Sequence, residues 1–251
     1  MTYKTISSPH HPLIADALTL HRARGRHKQN RFLAEGKRTC ESLIEAGYPL
    51  ATLFVRDEHR DWAQKLRVPP QKIIVASAAL IAKMSTAQTP SGVVAVFEIK
   101  PPSAGPLTAG IVLAQIHDPG NMGTLIRSAA AFGRSVIIVE GTDPYGSKVV
   151  QASAGSFGLT QLQCLSWQEV VQRAKAQQLP LTALVVQGGT PLEELPPRDR
   201  LLVVGSEAHG LPETWLADCA EKATLAMPGK TESLNAAVAG SIALYITRQK
   251  L

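Results

Sequence analysis

Continuous runs of apolar residues, separated by segments of helical periodicity, dominate the chain after Gly110. The clearest runs are Ile111–Ile116, which Gln115 alone interrupts, Val136–Val139 and Leu201–Val204. Strands that are buried on both faces have this continuous apolar character, whereas half-exposed strands alternate apolar and polar residues. A helix is predicted between the first two runs, over Thr124–Phe132. Such strands in alternation with helices predict an α/β domain whose parallel sheet is covered on both faces.

The first 100 residues predict a smaller α/β unit with shorter elements. The predicted elements are the helices Pro12–Leu20, Lys37–Ala46 and Ser77–Met84 and the strands Leu53–Val55, Ile73–Val75 and Val93–Ile99. After them comes Lys100–Pro106, a proline-rich segment with the composition of an interdomain linker. The pattern therefore predicts a domain over 1–100, a linker over 101–106 and a second domain over 107–251.

Composition narrows the class of protein. The chain has 251 residues, of which 45% are hydrophobic, so it can bury a sizeable core in one large or two modest domains. Its three cysteines form no Cys-x-x-Cys pair, which predicts a cytoplasmic protein, or an organellar one after processing. The longest apolar run, near Ala236–Ile246, is well short of the roughly 20 residues of a membrane span, so no membrane anchoring is expected. The histidines lack the H-x-x-x-H spacing of a metal site, so no metal is assigned.

The net charge of +6 is unevenly placed along the chain. Between Arg22 and Arg38 a single acidic residue, Glu35, stands among seven basic residues, which are Arg22, Arg24, Arg26, Lys28, Arg31, Lys37 and Arg38. Such a segment attracts a polyanion through its charge and through the release of counterions. A solvated helix end and loop would have the same composition, so charge alone leaves both interpretations open.

Three polar motifs follow predicted strands of the second domain. They are Asp118–Arg127 (DPGNMGTLIR), Gly205–Leu211 (GSEAHGL) and Met227–Asn235 (MPGKTESLN). The carboxyl ends of parallel strands meet at one edge of the sheet, and ligands bind there. The first strand is not followed by G-x-G-x-x-G, so a standard dinucleotide-binding or standard methyltransferase fold loses its main support.

Each motif also has a purely structural interpretation. Asp118–Asn121 is typical of a tight turn with Asn121 as the helix N-cap. Glu207 is expected to open the helix after the second motif, where a carboxylate interacts well with the helix dipole. Ser233 is expected to cap the last helix, with Asn235 bonding in its first turn. The apolar stripe predicted for that helix comprises Leu234, Val238, Ile242, Tyr245 and Ile246.

In their order and spacing, the three motifs resemble those of the SpoU/TrmH family of RNA ribose 2′-O-methyltransferases. Ser8–Ile14 and Arg31–Gly36 are similar to the family's N-terminal RNA-substrate domain, so the resemblance covers nearly the whole chain. It implies an L30e-like α/β first domain, followed by a catalytic α/β domain with a parallel sheet and a trefoil knot at the chain end. Gln151 departs from the family pattern, because relatives often carry arginine there, and this weakens the case that its loop grips RNA phosphate.

The resemblance implies an enzyme that methylates the 2′-hydroxyl of one ribose in a structured RNA, ribosomal or transfer, with S-adenosylmethionine as the donor. The implied catalytic residues are Arg127, Asn121, Glu207, Ser233 and Asn235, and the implied donor-binding residues are Val186, Gly205, Leu225 and Leu234. From the residues alone, Arg127 is either a surface or ion-pairing arginine or one that grips a phosphate. Because a guanidinium stays protonated in proteins, we expect Arg127 to position the ribose and stabilise charge on the 2′-oxygen, not to act as a base.

The resemblance also implies partners. RNA is expected to bind the basic segment of the first domain, through Arg22, Arg24, Arg26, Lys28, Arg31 and Arg38. A homodimer is expected because relatives dimerise through the second domain. The last helix offers small residues that permit close helix approach, or that would otherwise pack within the monomer, namely Ala236, Ala239, Gly240 and Ala243.

Two alternative functions stay open. One is a catalytically inactive RNA-binding or assembly factor of the same fold, and the presence of all five implied catalytic residues speaks against it. The other is a methyltransferase of the same knotted superfamily that acts on a base or on a protein. The asparagine and arginine of the first motif favour a ribose over those substrates.

Overall fold

A computed structural model of the chain describes residues 3–101, 105–229 and 231–248. Pro102–Ala104 of the predicted linker and Lys230 of the third motif therefore lie outside the described residues. The described residues form two compact units. The first contains the residues up to Pro101 together with Asp143–Gly158, and the second contains the others. The predicted domain over 107–251 includes Asp143–Gly158, so the compact units and the predicted domains divide the chain differently.

Strands and helices alternate along most of the described chain. Up to Pro101 the elements are the strands β1 (Lys4–Ile6), β2 (Arg31–Glu35), β3 (Leu50–Val55), β4 (Ile73–Ala76) and β5 (Val93–Glu98) and the helices α1 (Pro12–Thr19), α2 (Ala23–Gln29), α3 (Lys37–Glu45), α4 (Arg60–Lys65) and α5 (Ala78–Met84). After it come the strands β6 (Gly110–Ala114), β7 (Ser135–Val139), β8 (Leu162–Cys164), β9 (Leu181–Leu184), β10 (Thr190–Pro191), β11 (Leu201–Val204) and β12 (Glu221–Thr224) and the helices α6 (Pro119–Ala131), α7 (Ser147–Ser153), α8 (Trp167–Ala176), α9 (Glu213–Asp218) and α10 (Ala236–Ile246). Short 3₁₀ turns occur at Asp57–His59, Pro70–Lys72, Ser156–Leu159 and Leu192–Glu194. None of the helices in the described ranges is long and apolar enough to cross a membrane.

The sheet of the first unit has the strand order β1-β4-β3-β5-β2. Strand β5 is antiparallel to both of its neighbours, whereas β1, β4 and β3 pair in parallel. Ile14 of α1 and Leu80 of α5 belong to the same buried cluster as Phe54 of β3. These helices therefore cover one face of the sheet and close the core of the unit.

Aromatic side chains hold Asp143–Gly158 in the first unit. The ring centroid of Phe32 lies 5.2 Å from that of Tyr145 and 5.5 Å from that of Phe157. Tyr48 meets Phe157 edge to face, with the centroids 5.4 Å apart. Aromatic pairs at these distances stabilise a fold beyond the area that they bury. The segment that carries α7 is thus part of the first unit's core.

The sheet of the second unit has seven strands in the order β10-β12-β9-β11-β6-β7-β8, and every pair is parallel. All residues of β6, β7 and β11 are buried. Val112, Ile137 and Val203, one from each of these strands, share one apolar cluster. The parallel sheet predicted from the continuous apolar runs is therefore confirmed.

Helix α10 buries mainly small residues, and most of the apolar stripe predicted for it is exposed. Leu234, Val238, Ile242 and Tyr245 are 37%, 46%, 39% and 52% exposed, respectively, whereas the buried residues are Ala237, Gly240, Ala243 and Leu244. A Cβ on Gly240 would lie 2.5 Å from Cδ2 of Leu125 on α6. Because the small residues let α10 lie this close to α6, the bulky side chains turn outward.

Two predicted helix caps are also wrong, because a neighbouring residue takes the cap in each case. Asp118 is the N-cap of α6, and its Oδ1 accepts a hydrogen bond from the backbone N of Asn121 at 2.7 Å. Asn235 is the N-cap of α10, which places Ser233 before the helix. In both motifs, therefore, the side chain of the expected capping residue is not used by the helix.

Glu207 does not open a helix, contrary to the prediction. It lies in a turn that is closed by two backbone hydrogen bonds between Ser206 and Gly210, of 3.0 and 2.9 Å. Helix α9 begins only at Glu213. The chain that leaves β11 thus folds back on itself before the helix starts, and it presents Glu207 from a turn.

Candidate active site

A cavity of about 540 Å³ lies at the carboxyl edge of the second unit's sheet. Its lining comes from the segments that leave β9, β11 and β12 and from the segment that enters α10. The residues implied to bind the methyl donor, Val186, Gly205, Leu225 and Leu234, are all in this lining. Concave sites that combine apolar side chains with a few polar groups are typical of small-molecule binding.

Gly205 allows the second motif to fold tightly at the cavity wall. A Cβ at this position would lie 2.4 Å from the carbonyl carbon of Gly210 and 2.6 Å from the backbone N of Leu211. These are backbone atoms, so a side chain could be accommodated only by moving the whole turn. The position therefore requires glycine for close approach, independently of any ligand.

Hydrogen bonds join one residue from each motif at the rim of the cavity. Asn121 Nδ2 donates to Glu207 Oε1 at 2.9 Å, and Asn235 Nδ2 donates to Asn121 Oδ1 at 3.0 Å. Glu207 and Asn235 also line the cavity. We refer to Glu207, Asn121 and Asn235 as the motif-linking chain. It brings together three residues that the sequence places in three separate segments.

The motif-linking chain fixes the orientation of both amides. An ionised carboxylate only accepts hydrogen bonds, so Asn121 presents its NH₂ group to Glu207 and its carbonyl oxygen to Asn235. The carbonyl oxygen of Asn235 is in turn occupied by α10, because it accepts from the backbone N of Ala237 at 2.9 Å and of Val238 at 3.2 Å. These hydrogen bonds order the polar groups at the rim, which is the preorganisation that charge stabilisation requires.

Ser233 and Arg127 lie outside the motif-linking chain. Ser233 lines the cavity and is exposed. Arg127 is exposed on α6, about 9 Å along the helix axis from Asn121. Within the described part of the chain, Arg127 has no hydrogen bond or ion pair. The structure therefore gathers four of the five implied catalytic residues at the cavity or its rim, and it leaves the cation of Arg127 available to a ligand.

The basic residues implied to bind RNA differ in their exposure. The exposed ones are Arg22, Arg24, Lys28 and Arg38. The first three line a surface groove of about 650 Å³ beside α2. The side chain of Arg31 is 40% exposed and forms an ion pair of 3.5 Å with Glu98. An exposed cation can exchange water for phosphate at little cost, so the groove beside α2 is the best-placed part of the segment.

Arg26 does not face solvent, and the prediction that it contacts RNA is wrong. It is 6% exposed, and its Nε and Nη2 donate to Oδ2 of Asp143 at 2.8 and 2.7 Å. Its Nη1 donates to the backbone oxygens of Leu20 and His21 at 2.8 and 3.1 Å. A buried charge requires such partners. No local pattern pointed to Asp143, which is 117 residues away in sequence.

Sequence reasoning missed part of the cavity lining. Leu184 and Val185, at the end of β9, and Met227, in the third motif, all contribute to it. Thr224 Oγ1 donates to the backbone oxygen of Val186 at 3.1 Å and so ties the exits of β9 and β12 together. The apolar run that contains β9 was a usable signal, because a buried parallel strand carries its carboxyl end to the same edge.

Neither of the two buried or half-buried thiols lines the cavity. Burial raises the pKa of the Cys219 thiol to about 11, and burial likewise raises the pKa of Cys40 far above its ordinary value. Since the thiolate is the reactive form, both are inert at neutral pH. The groups that the site does offer are amides, hydroxyls, the Glu207 carboxylate and the His209 imidazole in the lining, together with the guanidinium of Arg127 on α6, and they can orient ligands and stabilise charge.

Comparison with known proteins gives matches over both parts of the chain. The model of the SpoU rRNA Methylase family matches residues 109–245, and that of the MRM3-like substrate binding domain matches residues 11–95. The chain is 28% identical to the 23S rRNA (guanosine(2553)-2′-O)-methyltransferase RlmP of Bacillus subtilis, over 98% of this chain and 99% of the relative. It is 31% identical to the 23S rRNA (uridine(2479)-2′-O)-methyltransferase of Streptomyces viridochromogenes, over 90% and 85%. The solved structure of the SpoU methyltransferase AviRb from Streptomyces viridochromogenes, in complex with AdoMet, superposes with a TM-score of 0.85 at 25% identity, covering 94% of this chain and 97% of that one.

Proposed function

The chain belongs to the SpoU rRNA Methylase family, and from this premise we propose that it methylates the 2′-hydroxyl of one ribose in a structured RNA, ribosomal or transfer. The donor is S-adenosylmethionine. The observation that carries the proposal is the motif-linking chain, which joins Glu207, Asn121 and Asn235 at the rim of a cavity of about 540 Å³. Amide and carboxylate groups fixed in this way can align a ribose beside a bound donor.

The cavity suits the methyl donor in size and in chemistry. Its volume lies within the roughly 300 to 1,000 Å³ of small-molecule sites. We assign Val186, Gly205, Leu225 and Leu234 to donor binding, because all four line the cavity. When bound there, S-adenosylmethionine supplies an electrophilic methyl group on a positively charged sulfur. The carboxylate of Glu207, in the same lining, is electrostatically favourable for that charge.

The residues at the rim align the ribose and stabilise its developing charge. Asn121 is held by Glu207 and Asn235 and so presents a fixed amide to the sugar. Arg127 carries a cation with no partner among the described residues, and a guanidinium cannot accept a proton. We therefore assign it to the stabilisation of negative charge on the 2′-oxygen and to contact with an adjacent phosphate. Proximity and alignment of the two substrates supply much of the rate.

We propose that the first domain, residues 1–100, captures the RNA. The support is the groove beside α2, lined by the exposed cations of Arg22, Arg24 and Lys28, and the match of residues 11–95 to the MRM3-like substrate binding domain. Arg38 and Arg31 are assigned a secondary part, Arg31 because Glu98 already pairs with it. RNA held there is then presented to the catalytic domain, residues 107–251.

We further propose a homodimer that forms through α10. The support is an exposed apolar stripe of Val238, Ile242 and Tyr245 on this helix. These residues are four and three positions apart and so lie on one face. A contiguous exposed apolar patch is a feature that protein interfaces share. The small residues that first suggested a dimer, such as Gly240, instead pack inside the monomer.

The remaining family features are proposed on the same basis. We propose that the chain end forms a trefoil knot, as the resemblance of the third motif implies. We also propose a cytoplasmic location, because the three cysteines of the sequence form no Cys-x-x-Cys pair, which fits a reducing compartment.

Transfer of a radioactive methyl group tests the proposed function. The purified full chain is incubated with tritiated S-adenosylmethionine and with total RNA from cells that lack its gene, and the RNA is then digested to nucleosides. We expect the label in a single 2′-O-methylated nucleoside. Label on a base would support the alternative methyltransferase, and RNA that binds but takes up no label would support the inactive RNA-binding factor.

A further inference from the structure

Two neighbouring strands of the second unit end in residues with a strained backbone. Gln115 follows β6 with φ 57°, and Glu140 follows β7 with φ 59°. This left-handed conformation is uncommon for residues other than glycine, asparagine and aspartate, and it is energetically unfavourable for each residue. The two side chains also meet, since Gln115 Nε2 donates to Glu140 Oε2 at 2.7 Å.

The surrounding backbone holds both residues in this conformation. Gln115 N donates to Val139 O at 2.9 Å, and Thr142 N donates to Ile116 O at 3.0 Å. Between these bonds, Gly141 lies so close to Ile116 that a Cβ there would be 2.4 Å from its carbonyl oxygen. Strain that is enforced in this way by its surroundings is concentrated at functional sites.

The position of the pair along the sheet edge suggests its ligand. The donor cavity lies at the ends of β9, β11 and β12, and the motif-linking chain joins the exits of β11 and β6. Strand β7 follows on the other side of β6. The pair at the ends of β6 and β7 therefore extends the same edge beyond the motif-linking chain, away from the donor cavity. If the ribose of the target nucleotide lies at Asn121, as the proposed function assigns it, the base of that nucleotide can lie along this part of the edge.

We propose that Gln115 and Glu140 read the base of the target nucleotide and select guanine, an inference that rests on the proposed function. The hydrogen bond within the pair leaves the carboxylate of Glu140 with free acceptor positions and the amide of Gln115 with one free N–H. Guanine presents two adjacent donors, N1–H and N2–H, beside the acceptor O6. The carboxylate accepts both donors, and the amide N–H of Gln115 donates to O6.

The other bases do not match this arrangement. Uracil offers one N–H between two carbonyl oxygens, so one of its acceptors would face the carboxylate. Adenine and cytosine each offer an amino group beside a ring nitrogen that accepts, and that lone pair would likewise face a carboxylate oxygen. An unpaired acceptor held against a carboxylate is the kind of penalty that produces specificity.

Nucleoside analysis gives the first test. The full chain is incubated with tritiated S-adenosylmethionine and with total RNA from cells that lack its gene, and we expect the label in 2′-O-methylguanosine. Label in another 2′-O-methylated nucleoside would overturn the guanine assignment and leave the proposed function standing. Absence of label from every ribose would remove the proposed function and this inference with it.

Substitution of Glu140 gives the second test, on an RNA fragment that carries the mapped site. Glu140→Gln is expected to lower kcat/KM by about 5- to 150-fold, the value of one bidentate base contact, with unchanged affinity for S-adenosylmethionine. Replacing the target guanosine by inosine removes N2–H. This should lower kcat/KM for the wild-type protein and have no further effect on Glu140→Gln. Equal rates on guanosine and inosine with the wild-type protein would contradict the proposal.

A glycine series separates base reading from folding. Glu140→Gly relieves the positive φ, so its melting temperature should not fall, yet its kcat/KM should fall as far as that of Glu140→Gln. The matched control is Gln178→Gly, which relieves a positive φ of 53° at the opposite edge, after α8. The control should keep wild-type activity. Wild-type activity in Glu140→Gly would overturn the proposal.

Discussion

Asn121 can join the second and third motifs only because Asp118 caps α6. Asp118 Oδ1 accepts from the backbone N of Asn121 at 2.7 Å. The side-chain amide of Asn121 is therefore not needed to cap its own helix. Asn235 serves both purposes, since its Oδ1 caps α10 while its Nδ2 donates to Asn121. At the scale of single residues, the rim of the site is therefore set by which side chain takes each cap.

Replacing Asn121 tests the motif-linking chain directly. Asn121→Ala removes both side-chain hydrogen bonds and should lower the single-turnover rate of methyl transfer by about 100-fold, the usual effect of misplacing a reacting group. Affinity for the donor, measured by calorimetry, should stay close to the wild-type value. Thr124→Ala, an exposed residue on the same helix, is the matched control. Equal rates for the two variants would contradict the role that we assign to the motif-linking chain.

Replacing Arg127 tests the charge-stabilising role. Arg127→Ala should abolish transfer while donor binding is retained, because the guanidinium is assigned to the ribose and phosphate. Arg127→Lys should restore only part of the rate, since an ammonium keeps the charge but lacks the planar fork. Single-turnover assays with calorimetry separate the two steps. Near-wild-type turnover in Arg127→Ala would refute the assignment.

At the scale of elements, the α2 region has exposed cations that line a groove and one buried arginine, Arg26. The triple variant Arg22→Ala/Arg24→Ala/Lys28→Ala removes exposed cations from one groove. If all three contact phosphates, the slope of log affinity against log salt should become shallower by about two to three units. Filter binding of the target RNA over a salt series measures this slope.

Arg26→Ala is the matched comparison on the same helix. It leaves Asp143 unpaired and removes the hydrogen bonds to Leu20 and His21. We expect a loss of about 3 kcal/mol in the free energy of unfolding, with an unchanged salt slope for the folded protein. If the triple variant kept its slope and Arg26→Ala changed it, the division of α2 into a binding face and a structural face would be wrong.

The exposed stripe of α10 predicts the oligomeric state. Light scattering at micromolar concentration should give twice the chain mass of 26.8 kDa. Ile242→Asp places a charge in the centre of the stripe and should give the monomer mass, because a buried unpaired charge is costly. Leu159→Asp, at an apolar residue that is 61% exposed outside the stripe, should remain dimeric. A wild-type monomer would contradict the proposal.

At the scale of the whole molecule, the parallel sheet could be predicted from the sequence, because buried strands leave a direct pattern of apolar residues. The continuous run at Ile111–Ile116 and its counterpart at Leu201–Val204 become β6 and β11, paired in register. Once these strands are parallel, their exits lie at one edge, so the first and second motifs had to converge there. The ligand-binding edge could therefore be predicted before any contact was known.

Other features depend on contacts that no local pattern records. In the sequence, Arg26 cannot be distinguished from the other cations of its segment, and only the fold shows that Asp143 lies beside it. The sequence predicts the apolar stripe of α10, but it does not predict that Gly240 lets the helix approach α6 or that the stripe is exposed. The strained pair of Gln115 and Glu140 also escapes a reading of the sequence, because backbone strain arises from the surrounding structure rather than from the residue type.

We expect this site to place a methyl group on a ribose 2′-oxygen. The most direct measurement is mass spectrometry of the nucleosides in ribosomal and transfer RNA from cells that carry the wild-type gene, the Arg127→Ala variant or no copy. We expect one 2′-O-methylated nucleoside to be present with the wild-type gene and absent from the other two strains. Loss of a base-methylated nucleoside instead, or an unchanged set of nucleosides in all three strains, would contradict the account.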